Sequence, residues 1–130
     1  MKSTLINIAK PLLIVLLGSL AISATASPKE VLAADIDALI SAVAVSGCEF
    51  IRNGKRHSAE ESVKHIARKY AHFEDEIDSI HTFVSLTATR SLMSGKAYQV
   101  QCGTEVTSSE QWMLEKAAEL QILSGPEAGR

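Results

Sequence analysis

The sequence has 130 residues, 46% hydrophobic and 22% charged, which excludes a disordered chain and fits one domain of ordinary size better than separate cofactor and substrate domains. Lys and Arg number 13 and Asp and Glu 15, so the net charge at pH 7 is -2. No excess of positive charge favours nucleic acid or an anionic membrane surface, and we expect no nucleic-acid partner.

The N-terminal segment has the three parts of a secretory signal peptide. The first ten residues include two lysines and no acidic residue, and residues 11–22 are uncharged. Ala24 and Ala26 then match the small-x-small pattern that signal peptidase cleaves. The pattern predicts a signal peptide over residues 1–26, cut between Ala26 and Ser27.

Export defines the expected compartment of the mature chain. Cleavage would leave a single small domain over residues 27–130, with 11 basic against 15 acidic residues and a net charge of -4. An uncleaved membrane anchor is the alternative, but the uncharged run is shorter than the ~20 residues that span a bilayer. We expect a periplasmic or secreted protein with no membrane span after cleavage.

Two cysteines, Cys48 and Cys102, lie 54 positions apart. In an oxidising compartment such a pair predicts a disulfide, which would stabilise the domain by about 4 kcal/mol in the chain-entropy model. The alternatives are a free catalytic thiol and a metal thiolate, although the spacing matches no metal site.

The first predicted element of the mature chain is a helix over Pro28–Val45, whose apolar residues recur on one face. Ser46-Gly47 is a stop signal for this helix. Asn53-Gly54 then predicts a hairpin, because both residues accept positive φ. Its arms would be Phe50–Arg52 and Lys55–His57.

Ser58 and Glu61 form a capping box that predicts a helix to about Phe73. The expected core stripe of this helix is Ala59, Val63, Ile66, Ala67, Tyr70 and Phe73. A third helix is predicted over Ile80–Ala88.

The last third of the chain predicts a strand, a turn and a helix. Ala97–Cys102 alternates with period two, as a strand does, and Gly103–Thr107 is expected to be a turn. A helix begins after Ser108 and ends at Gly125-Pro126. Its expected inward residues are Trp112, Ala117 and Leu120. Together the elements predict an α+β domain, with about four helices packed on a small antiparallel two- or three-stranded sheet and one disulfide.

The cysteines also predict how the strands pair. If they face each other across antiparallel strands, Phe50 faces Val100 and Arg52 faces Tyr98. Phe50 and Val100 would then point toward the helices. Arg52 would make an aromatic–guanidinium contact with Tyr98.

Four basic or imidazole side chains, Arg52, His57, His65 and Lys69, are the candidate binding residues. His57 lies just before the cap of the helix that carries His65 and Lys69, and Arg52 lies across the hairpin turn from His57. If the hairpin folds over the helix start, these side chains form a basic patch that could hold a carboxylate, phosphate or glycan group. The alternative is that Arg52 and Lys69 pair with nearby glutamates and that His57 tethers the turn.

No motif identifies a catalytic residue, a metal site or a cofactor. Ser94-Gly95-Lys96 lacks the upstream glycine and following helix of a phosphate loop. His65 and His72 are about 10.5 Å apart along a helix, too far to chelate one metal. We therefore expect no metal and no cofactor.

Four short segments bear a family resemblance. They are Phe50-Ile-Arg-Asn-Gly-Lys-x-His57, then Ala59 with Val63-x-His65 and Lys69, then Phe83 with Ser94-Gly95-Lys96-x-Tyr98, and finally Trp112. Together they resemble the YfeK-like family, small exported proteobacterial proteins whose domain has no assigned function. The resemblance covers Ser46–Leu120 and implies a single exported domain, with no catalytic residue to carry over. Ala97 stands where the family pattern leads us to expect proline.

These observations favour a non-enzymatic binding domain of the cell envelope, whose partner would be an envelope protein or glycan. One alternative is a small periplasmic hydrolase with His57 or His65 as general base. Cys48 could serve as its nucleophile only if it were unbridged. A purely structural factor that stabilises a partner is the other alternative.

Overall fold

The computed structural model describes Pro11, Ile14 and residues 18–123. Most of the predicted signal peptide lies outside the described residues, as does Gly125-Pro126, the predicted end of the last helix. In the part of the chain that the structure describes, no helix combines the length and apolarity that a membrane crossing needs.

Four helices and four strands alternate along the described chain. The helices are α1 (Pro28–Val45), α2 (Ala59–Phe73), α3 (Ile80–Thr87) and α4 (Ser109–Glu119), and a short 3-10 helix, Glu74–Glu76, follows α2. The strands are β1 (Glu49–Arg52), β2 (Lys55–His57), β3 (Gln99–Cys102) and β4 (Glu105–Ser108). The predicted α+β class is confirmed.

Serine caps begin the four helices. Ser27, Ser58, Ser79 and Ser108 each accept a hydrogen bond from the backbone N–H three residues further on. At α2 the predicted capping box is present, since the Ser58 backbone N–H also donates to Glu61 Oε2 at 3.0 Å.

The sheet has the order β2-β1-β3-β4, with every neighbouring pair antiparallel. Phe50 faces Val100, which confirms the predicted register. The hairpin between β1 and β2 is also confirmed, with Asn53 at φ 49° and Gly54 at φ 75°.

The predicted count of two or three strands is wrong, because the segment expected to be a turn contains β4. Gly103, at φ 63°, and Thr104 form a two-residue turn, so the chain reverses at once and pairs Cys102 with Glu105. Three of the four β4 residues are exposed, and Thr107 is half-buried. An edge strand with so little burial carries no apolar alternation in its sequence.

The predicted disulfide joins Cys48 to Cys102. It lies at one end of the central pair, β1 and β3, and closes the 54-residue loop that contains α2 and α3. Neither cysteine is a free thiol.

The core lies among the four helices and one face of the sheet. Its most deeply buried side chains are Ile36, Leu39, Val43, Phe83, Val84, Val100, Met113 and Ala117. Phe50 meets the Trp112 ring edge-on, with centroids 5.7 Å apart. Leu120, expected inward, is 41% exposed because α4 ends at Glu119 and Gln121 takes a positive φ of 59°.

The inward face of α2 differs from the predicted stripe. Ile66 is buried as expected, but Ala67 is exposed, and Ser62 and Lys69 are buried instead. Ser62, Ile66 and Lys69 recur at spacings of four and three, and Ala59, Val63 and Tyr70 of the predicted stripe are partly buried and pack against the core. Buried polar side chains need hydrogen-bond partners; Lys69 has one in the Arg90 carbonyl, whereas Ser62 Oγ has none among the described residues.

Candidate functional site

The hairpin and the start of α2 hold the candidate residues at one end of the sheet. Arg52 ends β1, and the turn at Asn53-Gly54 brings the chain back to His57, which faces Phe50. Ser58 then caps α2, whose second and third turns carry His65 and Lys69.

His57 is tied to the first turn of α2. Its Nδ1 lies 3.5 Å from Oε2 of Glu61, which also caps the helix. This contact matches the tethering role of the alternative interpretation. His57 is also the last and smallest of the neighbours that lower the pKa of His65.

His65 packs against Tyr98, the residue that immediately precedes β3. His65 Nε2 and the Tyr98 hydroxyl share a hydrogen bond of 3.3 Å, and the two rings meet edge to face. Burial, followed by the charges of Arg52 and Lys69, lowers the pKa of His65 to about 4. The imidazole is therefore neutral at pH 7.

Lys69 is the cation that lies over the Tyr98 ring, with Nζ 5.2 Å from the ring centre. The same ammonium donates a hydrogen bond to the Arg90 carbonyl at 3.0 Å. Burial, reinforced by the charge of Arg52, lowers the pKa of Lys69. Lys69 is thus partly committed to the fold, and its charge still acts on the site.

Arg52 is half-buried at the centre of the group. Burial lowers the pKa of its guanidinium, which nevertheless stays charged at pH 7. Among the described residues, the buried Arg52 Nε and Ser62 Oγ lack a hydrogen-bond partner. Both residues line a cavity of about 10 Å³ beneath Tyr98, which is the size of a single water molecule.

The arginines and the lysine of this group lack ion-paired acidic side chains in the described structure, whereas His57 contacts Glu61. We define the basic cluster as Arg52, His57, His65, Arg68, Lys69 and Tyr98. Within the described part of the chain, none of its three permanent cations forms an ion pair with a carboxylate. Pairing of Arg52 and Lys69 with glutamates, the alternative interpretation, is therefore not observed.

The structure thus brings together all four residues named from the sequence. Arg68 and Tyr98 join them, and Ser62 lies below. The pattern that could have indicated Arg68 is its position three residues after His65, on the same flank of α2. For Tyr98 the only sequence signal is the predicted strand register, which places it opposite Arg52.

His65 is poorly suited to act as a general base at pH 7. A general base works best with a pKa near the operating pH, and His65 is far below it. Cys48 is bonded to Cys102 and cannot act as a nucleophile. Across residues 18–123, no three His, Cys, Asp or Glu side chains lie together in a way that could hold a metal.

A larger concavity, which the sequence did not indicate, lies at the other end of the β1–β3 pair. This groove of about 550 Å³ runs over the disulfide, between the C-terminal end of α1 and one flank of α4. Its lining includes Val45, Trp112, Glu115, Glu119 and Leu120. The α4 residues recur at helical spacing, but nothing in their sequence shows that this flank is left uncovered.

Comparison with known proteins connects this fold to one family. The model of a family of unknown function, DUF5329, matches residues 30–121. The uncharacterized protein YfeK of Salmonella typhimurium (strain LT2) is 35% identical over 66 residues, which are 50% of this chain and 55% of YfeK. The matched region thus spans about half of that relative, and no solved structure matches the chain. The resemblance to YfeK-like proteins is confirmed, and the chain belongs to the DUF5329 family of unknown function.

Proposed function

We propose that this protein is an exported, non-catalytic binding domain of the cell envelope, and that its basic cluster holds an anionic group of an envelope protein or glycan. One observation carries the proposal. Lys69 lies over the Tyr98 ring, the charges of Arg52, Arg68 and Lys69 all act on His65, and none of these three cations forms an ion pair with a carboxylate among the described residues.

Holding positive charge in the unliganded cluster is unfavourable, and a bound anion would offset this cost. Burial lowers the pKa of Arg52 and of Lys69, so these two positive charges are held there at a cost, and His65 stays neutral. A bound carboxylate or phosphate would replace lost solvation with charge-assisted hydrogen bonds. The anion would lie across the outer rim, because the cavity beneath has room for only about one water molecule.

Two features support the envelope as the place of action. The N-terminal sequence has the charge and hydropathy pattern of a cleaved secretory signal. A disulfide is compatible with an oxidising compartment, where such bonds persist.

The test compares two arginines that lie on opposite faces of the same hairpin. Arg52 lies on the face of Phe50, and Arg56, which faces Ile51, lies on the other. Mature wild type, Arg52→Gln and Arg56→Gln would each be crosslinked in periplasmic extract, and the captured material quantified. We expect Arg52→Gln to lose capture by about tenfold or more, since a charge-assisted contact is worth about 1.5–3 kcal/mol. Arg56→Gln should retain capture.

A direct probe complements the capture experiment. Adding inorganic phosphate should raise the pKa of His65, because a bound anion favours the imidazolium. NMR of the imidazole protons against pH measures this change. The proposal fails if Arg52→Gln captures as much material as wild type. It also fails if urea unfolding shows that the variant is largely unfolded, because the loss of capture then reflects a structural role of Arg52. An unchanged His65 titration with phosphate would also count against an anion site.

A further inference from the structure

The groove over the disulfide has an apolar floor and exposed apolar lips. Its floor includes Val100, Trp112 and the Cys48–Cys102 bridge. Val45, at the end of α1, is 84% exposed, and Leu120, just beyond α4, is 41% exposed. Both border the groove. A volume of about 550 Å³ falls within the range of ligand sites, so the groove can accept a few side chains of a partner.

The rim of the groove is negative. Glu105, Glu115 and Glu119 line it, together with one cation, Lys116. Lys116 is already paired with Glu119 at 2.8 Å and lies over the Trp112 ring at 5.6 Å. Glu105 and Glu115 form no ion pair in the described structure. The rim therefore carries two unbalanced negative charges.

The end of α1 adds to this potential. Ala42, Val45 and Ser46 bring the C-terminal end of that helix to the groove, where the helix dipole is negative. No basic residue occupies the last turn of α1 to offset it. The C-terminal end of α1 and the two glutamates thus favour a positively charged group at the rim of the groove. The floor of the groove favours apolar side chains.

We propose that the groove binds a segment of a partner protein in which Lys or Arg residues flank apolar or aromatic side chains. The apolar side chains pack on Trp112 and the disulfide between the exposed Val45 and Leu120. The basic side chains meet Glu105 and Glu115. This site lies at the opposite end of β1 and β3 from the basic cluster, so the two sites select ligands of opposite charge.

Trp112 is the single tryptophan of the chain and lines the groove, so its fluorescence reports occupancy directly. The probe is a capped six-residue peptide that alternates lysine with phenylalanine and leucine. The counter-probe carries glutamate in place of each lysine. The disulfide-bonded mature protein is titrated with each peptide, and the emission of Trp112 is recorded at low and raised salt.

We expect a saturable change with the lysine peptide, weakened several-fold by raising salt from about 50 mM to 300 mM. The double variant Glu105→Gln with Glu115→Gln should bind it about tenfold more weakly. The matched control is Glu76→Gln with Glu110→Gln, two exposed glutamates outside the groove lining, and it should bind like wild type. Arg52→Gln, at the other site, should also leave this binding unchanged.

Three results would overturn the proposal. The first is no saturable response to the lysine peptide, and the second is equal binding of the glutamate peptide. The third is a response of Trp112 to protein concentration alone, with dimers seen by sedimentation, which would assign the groove to a second copy of this chain.

Discussion

His65 and Tyr98 share a hydrogen bond across the junction of α2 with the sheet, at 3.3 Å. The bond joins a helix that begins in the middle of the sequence to the residue that leads into the third strand. Three cations lie near this hydrogen bond, and their charges lower the pKa of His65. The titration of His65 therefore reports changes of charge in the basic cluster. The consequences can be measured.

The stability of the fold should depend on pH through His65. The pKa of this imidazole is about 4 in the folded protein and near 6.5 when unfolded, so between these values the unfolded state binds more protons. Stability is therefore fully present above pH 6.5 and falls as the pH drops toward 4. We expect a loss of about 2 kcal/mol from this residue, after allowance for solvent screening. Urea unfolding at pH 7 and pH 4.5 should show a smaller loss for His65→Gln, and equal losses would refute the assignment.

Removing either neighbouring cation should raise the pKa of His65. Arg52→Gln and Lys69→Met each delete a positive charge that disfavours the imidazolium, so both should move the titration toward its usual range. Arg56→Gln, on the other face of the hairpin, serves as the control. NMR of the imidazole protons against pH measures the three variants. A shift in the control as large as in Arg52→Gln would contradict a local effect.

The asymmetry between prediction and structure is clearest in α2. Ser58 and Glu61 identified the start of the helix, because a capping box is a local interaction within four residues. Lys69 could not be placed inward in the same way, since its burial depends on a carbonyl at Arg90 and a ring at Tyr98, both distant in sequence. An inward face inferred from periodicity is made of the apolar residues that recur at helical spacing. It therefore includes Ala67 and leaves out Lys69.

The strands show the same division between local and distant information. Asn53-Gly54 predicts its own hairpin, and the cysteine pair supplies one long-range constraint from which the β1–β3 register follows. β4 offers neither an apolar alternation nor a constraint of this kind. The groove is still harder to predict from the sequence, because it depends on how the surrounding helices and strands are arranged in space and on which surfaces they leave uncovered.

Ser62 provides a test of the buried polar layer beneath the cluster. Its hydroxyl is buried and lacks a hydrogen-bond partner in the described structure, so the fold bears its desolvation cost. Ser62→Ala should stabilise the protein by about 1 kcal/mol, as measured by urea unfolding. Ser85→Ala, at an exposed site on α3, is the matched control and should change little. A clear loss of stability in Ser62→Ala would show that the hydroxyl is bonded.

Reduction of the disulfide should destabilise the domain strongly. The bridge closes a loop of 54 residues, and its loss should cost about 4 kcal/mol, out of a total that is typically about 5–15 kcal/mol. Unfolding by urea with and without a reductant, followed by Trp112 fluorescence, measures this. The variant Cys48→Ser with Cys102→Ser should be equally unstable in both conditions. A wild type indifferent to reductant would contradict the expected contribution.

Export can be tested by intact mass. Expression of the full sequence in a bacterium should yield a protein that begins at Ser27 and is lighter than its reduced form by the mass of two hydrogen atoms. Ala26→Leu should block the cut by placing a large side chain where the peptidase needs a small one. Retention of the leader by wild type, or two free thiols in the native protein, would contradict this prediction.

The bridge between β1 and β3 also bears on resistance to proteolysis. Every member of the basic cluster, from Arg52 to Tyr98, lies inside the covalent ring that Cys48 and Cys102 close. A protease that clips one exposed turn within this ring leaves both fragments attached to each other. In such a nicked molecule the residues of the basic cluster stay in one covalently linked unit. The two fragments can therefore pair again through β1 and β3.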